Sequence, residues 1–395
     1  MRAACGVECG SNVLRLEEFL SVSFLFYREV FILRKYLLTP GPVEVPPPVL
    51  AAGAAQMESH RCAAFSSLFM GISEKLGRLF ESSSPVVILP SSGTGALECA
   101  AVNFLGAGDK FVSLSCGAFG KRFREIAQRT GAEGVFADYP EGCAPAPGDA
   151  AELLRAHPDA KALLITHNET STGVTVPVKD IIAALPKERR TLVLVDGVSS
   201  VGAMECFPEQ WGIDVLCTAS QKGLMTPPGL GFVWLSERAL AELDSRRCPS
   251  YYFDLKLHLK YMKKDSYENP YTPPVSLYYA LDAALGVILR DGARSWFAKR
   301  RRWAGGFASG LEGMGYELLV KDPALRSAGV TAFSAPGGKS EAVRAVLSRM
   351  GLTTAGGQGG LKGKLIRSAH YSDWGETELK EILGAFGEAL KETAE

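Results

Sequence analysis

Short apolar runs alternate with amphipathic stretches along most of this 395-residue chain. Apolar runs of roughly four to eight residues, bounded by turn-forming residues, are typical of strands buried on both faces of a sheet. The stretches between them space their apolar residues three or four apart, as helices that cover a sheet do. The pattern predicts strands at residues 86–89, 111–114, 162–165, 192–195 and 232–235, and helices at residues 121–130 and 178–184.

This alternation predicts an α/β fold with a mostly parallel central sheet covered by helices, in which ligands bind at the carboxyl ends of the strands. We expect a large domain at residues 35–290 and a smaller C-terminal α/β domain at residues 291–395. Residues 1–34 precede the pattern as an N-terminal extension. Its apolar part, residues 19–33, is interrupted by two charged residues and is too short to span a bilayer, so no stable membrane insertion is expected.

Two later segments predict irregular structure. Residues 255–274 are polar and rich in Pro and Tyr, which predicts a loop directed toward a partner subunit. The glycine-rich residues 356–360 predict a flexible turn before a strand that contains Arg367. A dinucleotide-binding loop is not expected there, because no strand–turn–helix pattern surrounds these glycines.

Charge and cysteine content narrow the class of protein. The 43 basic and 43 acidic side chains balance, so neither nucleic acid nor an anionic membrane surface is an expected partner. The nine cysteines are scattered without the spacing of zinc ligands. We therefore expect no metal site. We also expect the cysteines to be reduced thiols, as in a cytoplasmic protein.

A carboxylate and a lysine near the ends of two successive apolar runs are the first sign of chemistry. The run at residues 191–195 ends at Asp196, and the next run ends shortly before Lys222. Pyridoxal phosphate (PLP) needs such a pair: a lysine amine for a Schiff base with its aldehyde, and a carboxylate that keeps its ring nitrogen protonated. Taken alone, Lys222 would be interpreted as a solvated surface lysine and Asp196 as a helix cap. Lys222 is flanked by small and apolar residues, however, which argues against a solvated lysine.

A third motif provides an anion site. The apolar run at residues 86–89 breaks at Pro90 and continues as Ser-Ser-Gly-Thr-Gly-Ala-Leu-Glu at residues 91–98, which predicts a turn followed by a helix. The backbone N–H groups and hydroxyls of such a turn, together with the dipole of the helix N-terminus, suit a phosphate. An ordinary capped turn fits the same residues.

Taken in order, several separated motifs resemble the class-V aminotransferases of PLP fold type I, in the alanine–glyoxylate, serine–glyoxylate and serine–pyruvate branch. The resemblance covers essentially the whole chain from Lys35 onward. The matching motifs lie at residues 37–47, 59–69, 92–98, 166–174, 195–200, 220–229 and 363–370. After Arg367 the family usually continues Ile-Gly-His-Met-Gly, whereas this chain reads Ser-Ala-His-Tyr-Ser-Asp-Trp, which leaves the preference for substrate side chains open.

The resemblance implies a role for each matching residue. Lys222 would form the Schiff base, Asp196 would pair with the ring nitrogen, and Arg367 would bind the α-carboxylate of the substrate through two parallel hydrogen bonds. The other implied cofactor contacts are Ser92, Gly93, Thr94, Phe119, Thr170, Val198 and Gln221, with Tyr271 and Thr272 reaching the phosphate in the neighbouring subunit. The implied substrate contacts besides Arg367 are Gly41 and Thr170. A homodimer with shared active sites is thereby also implied.

The implied activity is PLP-dependent transamination from a small amino acid, serine or alanine, to a 2-oxo acid, glyoxylate or pyruvate. A transaminase of other specificity, for aspartate or an aminophosphonate, fits the same motifs. A class-V lyase or desulfurase is disfavoured, because residues 351–366 contain no cysteine for that chemistry. A non-catalytic partner subunit is disfavoured because it would not need the lysine, aspartate and arginine together. His60 and His167 lie within the motifs and are interpreted as structural residues.

Overall fold

The computed structural model describes residues 35–264 and 266–394, so the predicted extension at residues 1–34 lies outside the described residues. The strands are β1 (Tyr36–Leu37), β2 (Val86–Pro90), β3 (Lys110–Ser115), β4 (Glu133–Asp138), β5 (Ala160–Thr166), β6 (Asn168–Glu169), β7 (Val174–Thr175), β8 (Leu192–Asp196), β9 (Val215–Ala219), β10 (Leu230–Leu235), β11 (Glu317–Leu318), β12 (Val330–Ser334), β13 (Leu352–Thr353), β14 (Ala355–Gly356) and β15 (Ile366–Ala369).

The α-helices are α1 (Pro47–Gly53), α2 (Ala63–Phe80), α3 (Gly93–Phe104), α4 (Ala118–Gln128), α5 (Asp149–Ala156), α6 (Val178–Ala183), α7 (Pro208–Trp211), α8 (Glu237–Ser245), α9 (Leu255–Met262), α10 (Val275–Ile288), α11 (Ala293–Gly313), α12 (Ser340–Arg349) and α13 (Glu376–Ala394). Among these described helices, none combines the length and the apolar character that crossing a bilayer requires.

A seven-stranded sheet forms the centre of the fold, in the order β2-β10-β9-β8-β5-β3-β4. Its neighbouring strands are parallel except where β10 lies between β2 and β9, with which it is antiparallel. The α/β fold with a mostly parallel sheet is confirmed. The direction of β10 follows from its short connection to β9, residues 220–229, because a crossover between parallel strands needs a dozen or more residues.

The middle strands of this sheet are buried on both faces. Every residue of β8, β9 and β10 is buried, as the continuous apolar runs predicted. Helix α3 packs against β9 and β10, and α4 packs against β3 and β5. Polar side chains are therefore confined to the ends of these strands, which is where the candidate site lies.

A second, antiparallel sheet in the C-terminal part of the chain has the order β11-β12-β15-β14. Arg367, on β15, pairs with Ala332 of β12 and Ala355 of β14. The apolar core beside this sheet contains Trp303 and Phe307, and it also includes Tyr36, where β1 pairs with β13. The domain boundary between residues 290 and 291 stays a prediction.

The two segments predicted to be irregular are partly regular. Within residues 255–274, Leu255–Met262 forms α9, because the Asp254 carboxylate caps the helix and three side chains at helical spacing are buried. Within residues 356–360, Gly356 belongs to β14 and pairs with β15, and a 3₁₀ turn begins at Gly359. The loop and flexible-turn predictions were therefore wrong for these parts, since tertiary packing orders them.

Candidate active site

Five predicted residues meet at the carboxyl edge of the central sheet, each placed by the strand before it. Ser92 follows β2, Phe119 follows β3, Thr170 follows β5 and β6, Asp196 ends β8, and Lys222 follows β9. They surround a cavity of about 100 Å³. The cavity is lined by Ser92, Gly93, Thr94, Leu97, Phe119, Arg122, Thr170, Asp196, Val198, Ser199, Gln221 and Lys222. The structure thus brings together all the cofactor contacts predicted for one subunit.

Lys222 is held close to the backbone of the segment before α1. Its Nζ donates a hydrogen bond to the carbonyl of Pro40. The next residue, Gly41, has a φ of +124°, and a Cβ built there would lie 2.7 Å from Cε and 2.8 Å from Nζ of Lys222. Both the backbone conformation and the close approach require glycine. The predicted contact residue Gly41 therefore adjoins the reactive amine.

Burial shifts the pKa values of the two central groups in opposite directions. Burial raises the pKa of the Asp196 carboxyl to about 7. The N–H of Val198, which donates to Oδ1 of Asp196 at 2.9 Å, has the opposite effect and lowers this pKa. Burial lowers the pKa of the Lys222 amine to about 8, while Asp196 raises it and the Arg367 guanidinium lowers it further. About a tenth of the amine is therefore neutral at pH 7, and about half near pH 8, in the form that a nucleophile or general base requires.

The lowered pKa of Lys222 predicts how cofactor capture depends on pH. Because only the neutral amine attacks the aldehyde, the rate at which the apo-protein takes up PLP should rise about tenfold per pH unit below pH 8 and then level off. Stopped-flow absorbance between pH 6 and 10.5 measures this rate. Asp196→Asn should move the midpoint downward, because that carboxylate raises the pKa of the amine. A rate still climbing above pH 10, as for an exposed lysine, would contradict the assignment.

The start of α3 forms an anion site beside the amine. Ser92 is the N-cap, and its Oγ accepts a hydrogen bond from the N–H of Gly95 at 3.3 Å. Gly93 begins the helix, and a Cβ there would lie 2.7 Å from a methyl carbon of Val198, so glycine is needed for this close packing. The buried Oε1 of Gln221 has no hydrogen-bond partner within the described chain. The helix N-terminus, two hydroxyls and an unpartnered amide oxygen suit the phosphate and polar rim of PLP.

Phe119 forms a wall of the cavity and is fixed by a residue that the sequence interpretation missed. The Glu169 carboxylate is fully buried and accepts hydrogen bonds from the N–H groups of Phe119 and Gly120, at 3.1 and 3.0 Å, and of Ser171, at 3.1 Å. It therefore neutralises the N-terminus of α4 and sets the position of the aromatic ring. The available signal was an acidic residue in the otherwise uncharged turn 168–173.

A buried hydroxyl network lies beneath the cavity. The Oγ1 of Thr170 donates to the Oγ of Ser199 at 2.8 Å, and the Nδ2 of Asn168 donates to the same oxygen at 2.9 Å. The Oγ of Ser199 in turn donates to the carbonyl of Asn168 at 2.8 Å. This network fixes the turn that contains Thr170. Ser199 also lines the cavity, and the sequence interpretation missed it.

Arg367 reaches the site from the second sheet. Its side chain is buried, its Nε donates to the carbonyl of Gly356 at 2.8 Å, and its Nη1 donates to the carbonyl of Thr170 at 3.1 Å. Within the described residues it forms no ion pair with a carboxylate. Burial lowers the pKa of this guanidinium, and Glu169 opposes that shift. A buried, unpaired guanidinium held by two carbonyls is suited to binding an incoming carboxylate.

Tyr271 and Thr272 do not line the cavity of their own chain. The Tyr271 ring stacks on that of Tyr252 with centroids 4.5 Å apart, and its hydroxyl donates to the Tyr252 carbonyl at 2.7 Å. The hydroxyl of Tyr252 donates to the carbonyl of Pro90 at 2.9 Å. The role predicted for Tyr271 and Thr272 at a neighbouring subunit's phosphate stays a prediction.

Known proteins resemble this chain over most of its length. The family model for class-V aminotransferases matches residues 35–363. An uncharacterized aminotransferase of Methanocaldococcus jannaschii is 36% identical over 91% of this chain and 93% of its own. A serine–glyoxylate aminotransferase of Methylorubrum extorquens is 32% identical over 90% of each chain. The crystal structure of a subgroup IV aspartate aminotransferase from Thermus thermophilus is 35% identical, with a TM-score of 0.82 over 90% of this chain and 99% of that chain.

Proposed function

The chain belongs to the class-V aminotransferase family and is a PLP-dependent transaminase, and from that premise we propose that it transfers the amino group of a small amino acid, serine or alanine, to glyoxylate or pyruvate. One observation supports this proposal above the others. The amine of Lys222, the carboxylate of Asp196 and the N-terminus of α3 line one cavity, and Arg367 bonds to a turn in its wall.

The residues divide the chemistry between them. When bound, PLP supplies the aldehyde that accepts the amino group and the ring that draws electrons from the substrate Cα–H bond. Asp196 would hold the positive charge of the ring nitrogen. The Nζ of Lys222 would move the proton at the substrate Cα, which its lowered pKa allows near neutral pH. Arg367 orients the substrate by its α-carboxylate.

The size of the cavity supports small substrates. Its volume of about 100 Å³ leaves little space for a bulky side chain beside the cofactor. The relative from Methylorubrum extorquens is named for serine and glyoxylate, both small. Ser368 and Ala369, which differ from the usual family sequence after Arg367, change the surroundings of the substrate without removing the guanidinium of Arg367.

A panel of donors and acceptors tests the proposal. Purified enzyme loaded with PLP would be assayed with L-serine, L-alanine, L-aspartate and L-phenylalanine against glyoxylate, pyruvate and 2-oxoglutarate. We expect kcat/KM for the small donors, with glyoxylate or pyruvate, to exceed that for L-phenylalanine by at least about a hundredfold, since a bulky ring does not fit. Efficient turnover of phenylalanine, or none of any donor, would contradict the proposal.

We also propose that the active unit is a homodimer. Support comes from apolar side chains that are exposed in the single chain, among them Met57, at 59%, and Tyr251, at 75%. Tyr251 adjoins the Tyr252–Tyr271 stack, so a partner that covers it would also contact the segment predicted to share the phosphate site. Light scattering combined with activity should show a dimer as the smallest active species. A fully active monomer would be incompatible with shared sites.

We further propose a reducing, cytoplasmic location. The seven cysteines within the described residues are all free thiols, and four of them are buried. Cell fractionation with an antibody against the native protein would test this location, and recovery in an oxidising compartment would contradict it.

A further inference from the structure

Tyr371 has a buried hydroxyl that the proposed chemistry does not use. It stands where the family usually has methionine, which has no hydroxyl. The side chain is fully buried, and its phenolic oxygen has no hydrogen-bond partner within the part of the chain that the structure describes. Burying a hydroxyl without a partner is unfavourable, so this group needs a physical explanation.

The ring of Tyr371 is fixed among segments that build the site. It packs in one apolar cluster with Val43, with Ala369 of β15 and with Ala203, in the turn that follows β8. A Cβ built at Gly329 would lie 2.5 Å from Cε1 and 3.1 Å from Cζ of Tyr371, so the ring lies directly against the backbone there. Packing of the ring, and not a hydrogen bond, therefore sets the position of the hydroxyl.

The hydroxyl of Tyr371 lies beside Ser199, in the same turn after β8. Burial raises the pKa of the Tyr371 hydroxyl, and the side chain of Ser199 opposes that shift. The Oγ of Ser199 already accepts hydrogen bonds from Thr170 and from the amide of Asn168, and it donates to the Asn168 carbonyl. A hydroxyl has two lone pairs and one hydrogen, so these three bonds leave Ser199 no position for a further donor.

Thr170 is the member of this network that a ligand can reach. It lines the cavity, whereas Tyr371 is not among the residues that line it. An oxygen of a molecule bound in the cavity would compete with Ser199 for the O–H of Thr170. If that O–H turns toward the ligand, Ser199 loses one of its two donors. The lone pair that this leaves free is the acceptor that Tyr371 lacks in the structure without a ligand.

We propose that Tyr371 is a positioning residue whose hydroxyl donates to Ser199 when the hydroxyl of Thr170 turns to a ligand in the cavity. Ser199 then keeps two donors in both states, so the turn that contains Thr170 stays fixed while the Thr170 hydroxyl binds the ligand. This inference deepens the proposed function and rests on it through the cofactor alone, because the identity of the amino donor does not enter. The usual methionine of the family could not make this exchange.

Tyr371→Phe removes the hydroxyl and keeps the ring, so its expected effects on the empty and the loaded protein differ. Without PLP the hydroxyl has no partner to lose, and the urea midpoint of the apo-protein should stay the same or rise. With PLP the variant lacks the donor to Ser199. The Kd of PLP, measured by quenching of the intrinsic fluorescence, should therefore rise about threefold to tenfold. A tyrosine with a merely structural role would instead lower the urea midpoint of both forms.

Tyr316→Phe is the matched control. Tyr316 is also buried, but its hydroxyl donates to the carbonyl of Phe386 at 2.9 Å in the core beside the second sheet. Its loss should lower the urea midpoint with and without PLP, because a bond that exists in both states is removed. The Kd of PLP should stay within about twofold of that of the parent.

Thr170→Val tests the exchange itself. Without the Thr170 hydroxyl, Ser199 has a free lone pair with or without PLP, so Tyr371 can donate in both states. Tyr371→Phe added to Thr170→Val should therefore lower the urea midpoint of the apo-protein and change the Kd of PLP by less than about twofold, relative to Thr170→Val alone.

Three results would overturn the inference. They are an apo-protein that Tyr371→Phe destabilises or unfolds in the parent background, a Kd of PLP that this variant leaves unchanged, and a threefold or larger change in Kd that persists in the Thr170→Val background. If the parent takes up no PLP, the proposed function fails. The apo-protein midpoints in the two backgrounds then still decide whether the Tyr371 hydroxyl gains a partner when that of Thr170 leaves Ser199.

Discussion

Replacing Lys222 with alanine is expected to reduce transamination by at least about four orders of magnitude. The variant loses the amine that captures the cofactor aldehyde and, with it, the general acid–base group that moves the Cα proton, a contribution of roughly 10²–10⁴ alone. No other lysine lines the described cavity, so no other amine is positioned to replace that of Lys222. Steady-state assays with the best donor of the panel, at protein concentrations high enough to detect residual turnover, measure the loss.

A spectroscopic test separates the loss of Lys222 from unfolding. Purified parent enzyme should be yellow, and borohydride reduction followed by peptide mass analysis should find the cofactor on the peptide that contains Lys222. Lys222→Ala should retain its circular dichroism but lose the reducible band. Lys75→Ala is a suitable control, because Lys75 is also partly buried but is paired with Asp282 at 2.7 Å, away from the cavity. A reducible band in Lys222→Ala would place the cofactor lysine elsewhere.

The parts of the site that were predictable from sequence are those encoded by local patterns at strand ends. Asp196 could be recognised because it follows four buried apolar residues, and the phosphate turn could be recognised because Pro90 and Ser92 interrupt a strand before a helix. In a sheet buried on both faces, the first polar residue after a strand lies at the edge where ligands bind. This edge was therefore accessible before the structure.

The parts that escaped prediction depend on contacts between distant segments. Glu169 contacts Phe119 across fifty residues of sequence, and nothing in its local pattern identifies it as the anchor of α4. Arg122 reads as one of several charges on an amphipathic helix, and only the packing of α4 beside the cavity separates it from Arg124. The helix α9 was missed because its polar composition concealed three buried side chains. Tertiary structure decided each of these cases.

The binding residues come from both sheets, so the geometry of the site depends on both sheets. Asp196 and Lys222 are set by the central sheet, but Arg367 is set by β15 and is connected to the Thr170 turn by one hydrogen bond of 3.1 Å. A hydrogen bond from the Thr170 hydroxyl to Ser199 fixes the turn that contains Thr170. A substrate carboxylate on Arg367 would therefore interact with a group whose orientation both sheets determine.

Arg367→Lys is expected to lower kcat/KM for amino acids by about 30-fold to 1,000-fold, or roughly 2–4 kcal/mol, the range for disrupting a buried charge pair. A planar guanidinium makes two parallel hydrogen bonds to a carboxylate, and an ammonium cannot reproduce both. The lysine would also lose the Nε and Nη1 bonds to Gly356 and Thr170 that orient the arginine. KM should rise for both the amino acid and the oxo acid, while the absorbance of the bound cofactor stays as in the parent enzyme.

Amines without a carboxylate distinguish substrate binding from a structural role of Arg367. Their slow half-reaction with the cofactor should be nearly the same in Arg367→Lys and in the parent enzyme, because they have no group for the guanidinium to bind. Arg344→Lys provides a matched control, since Arg344 donates to the carbonyl of Thr354 near the same sheet but is paired with Glu341 at 2.7 Å. If Arg367→Lys slowed amines and amino acids equally, Arg367 would act by holding the Thr170 turn in place, and the binding of the α-carboxylate would have to be assigned to another group.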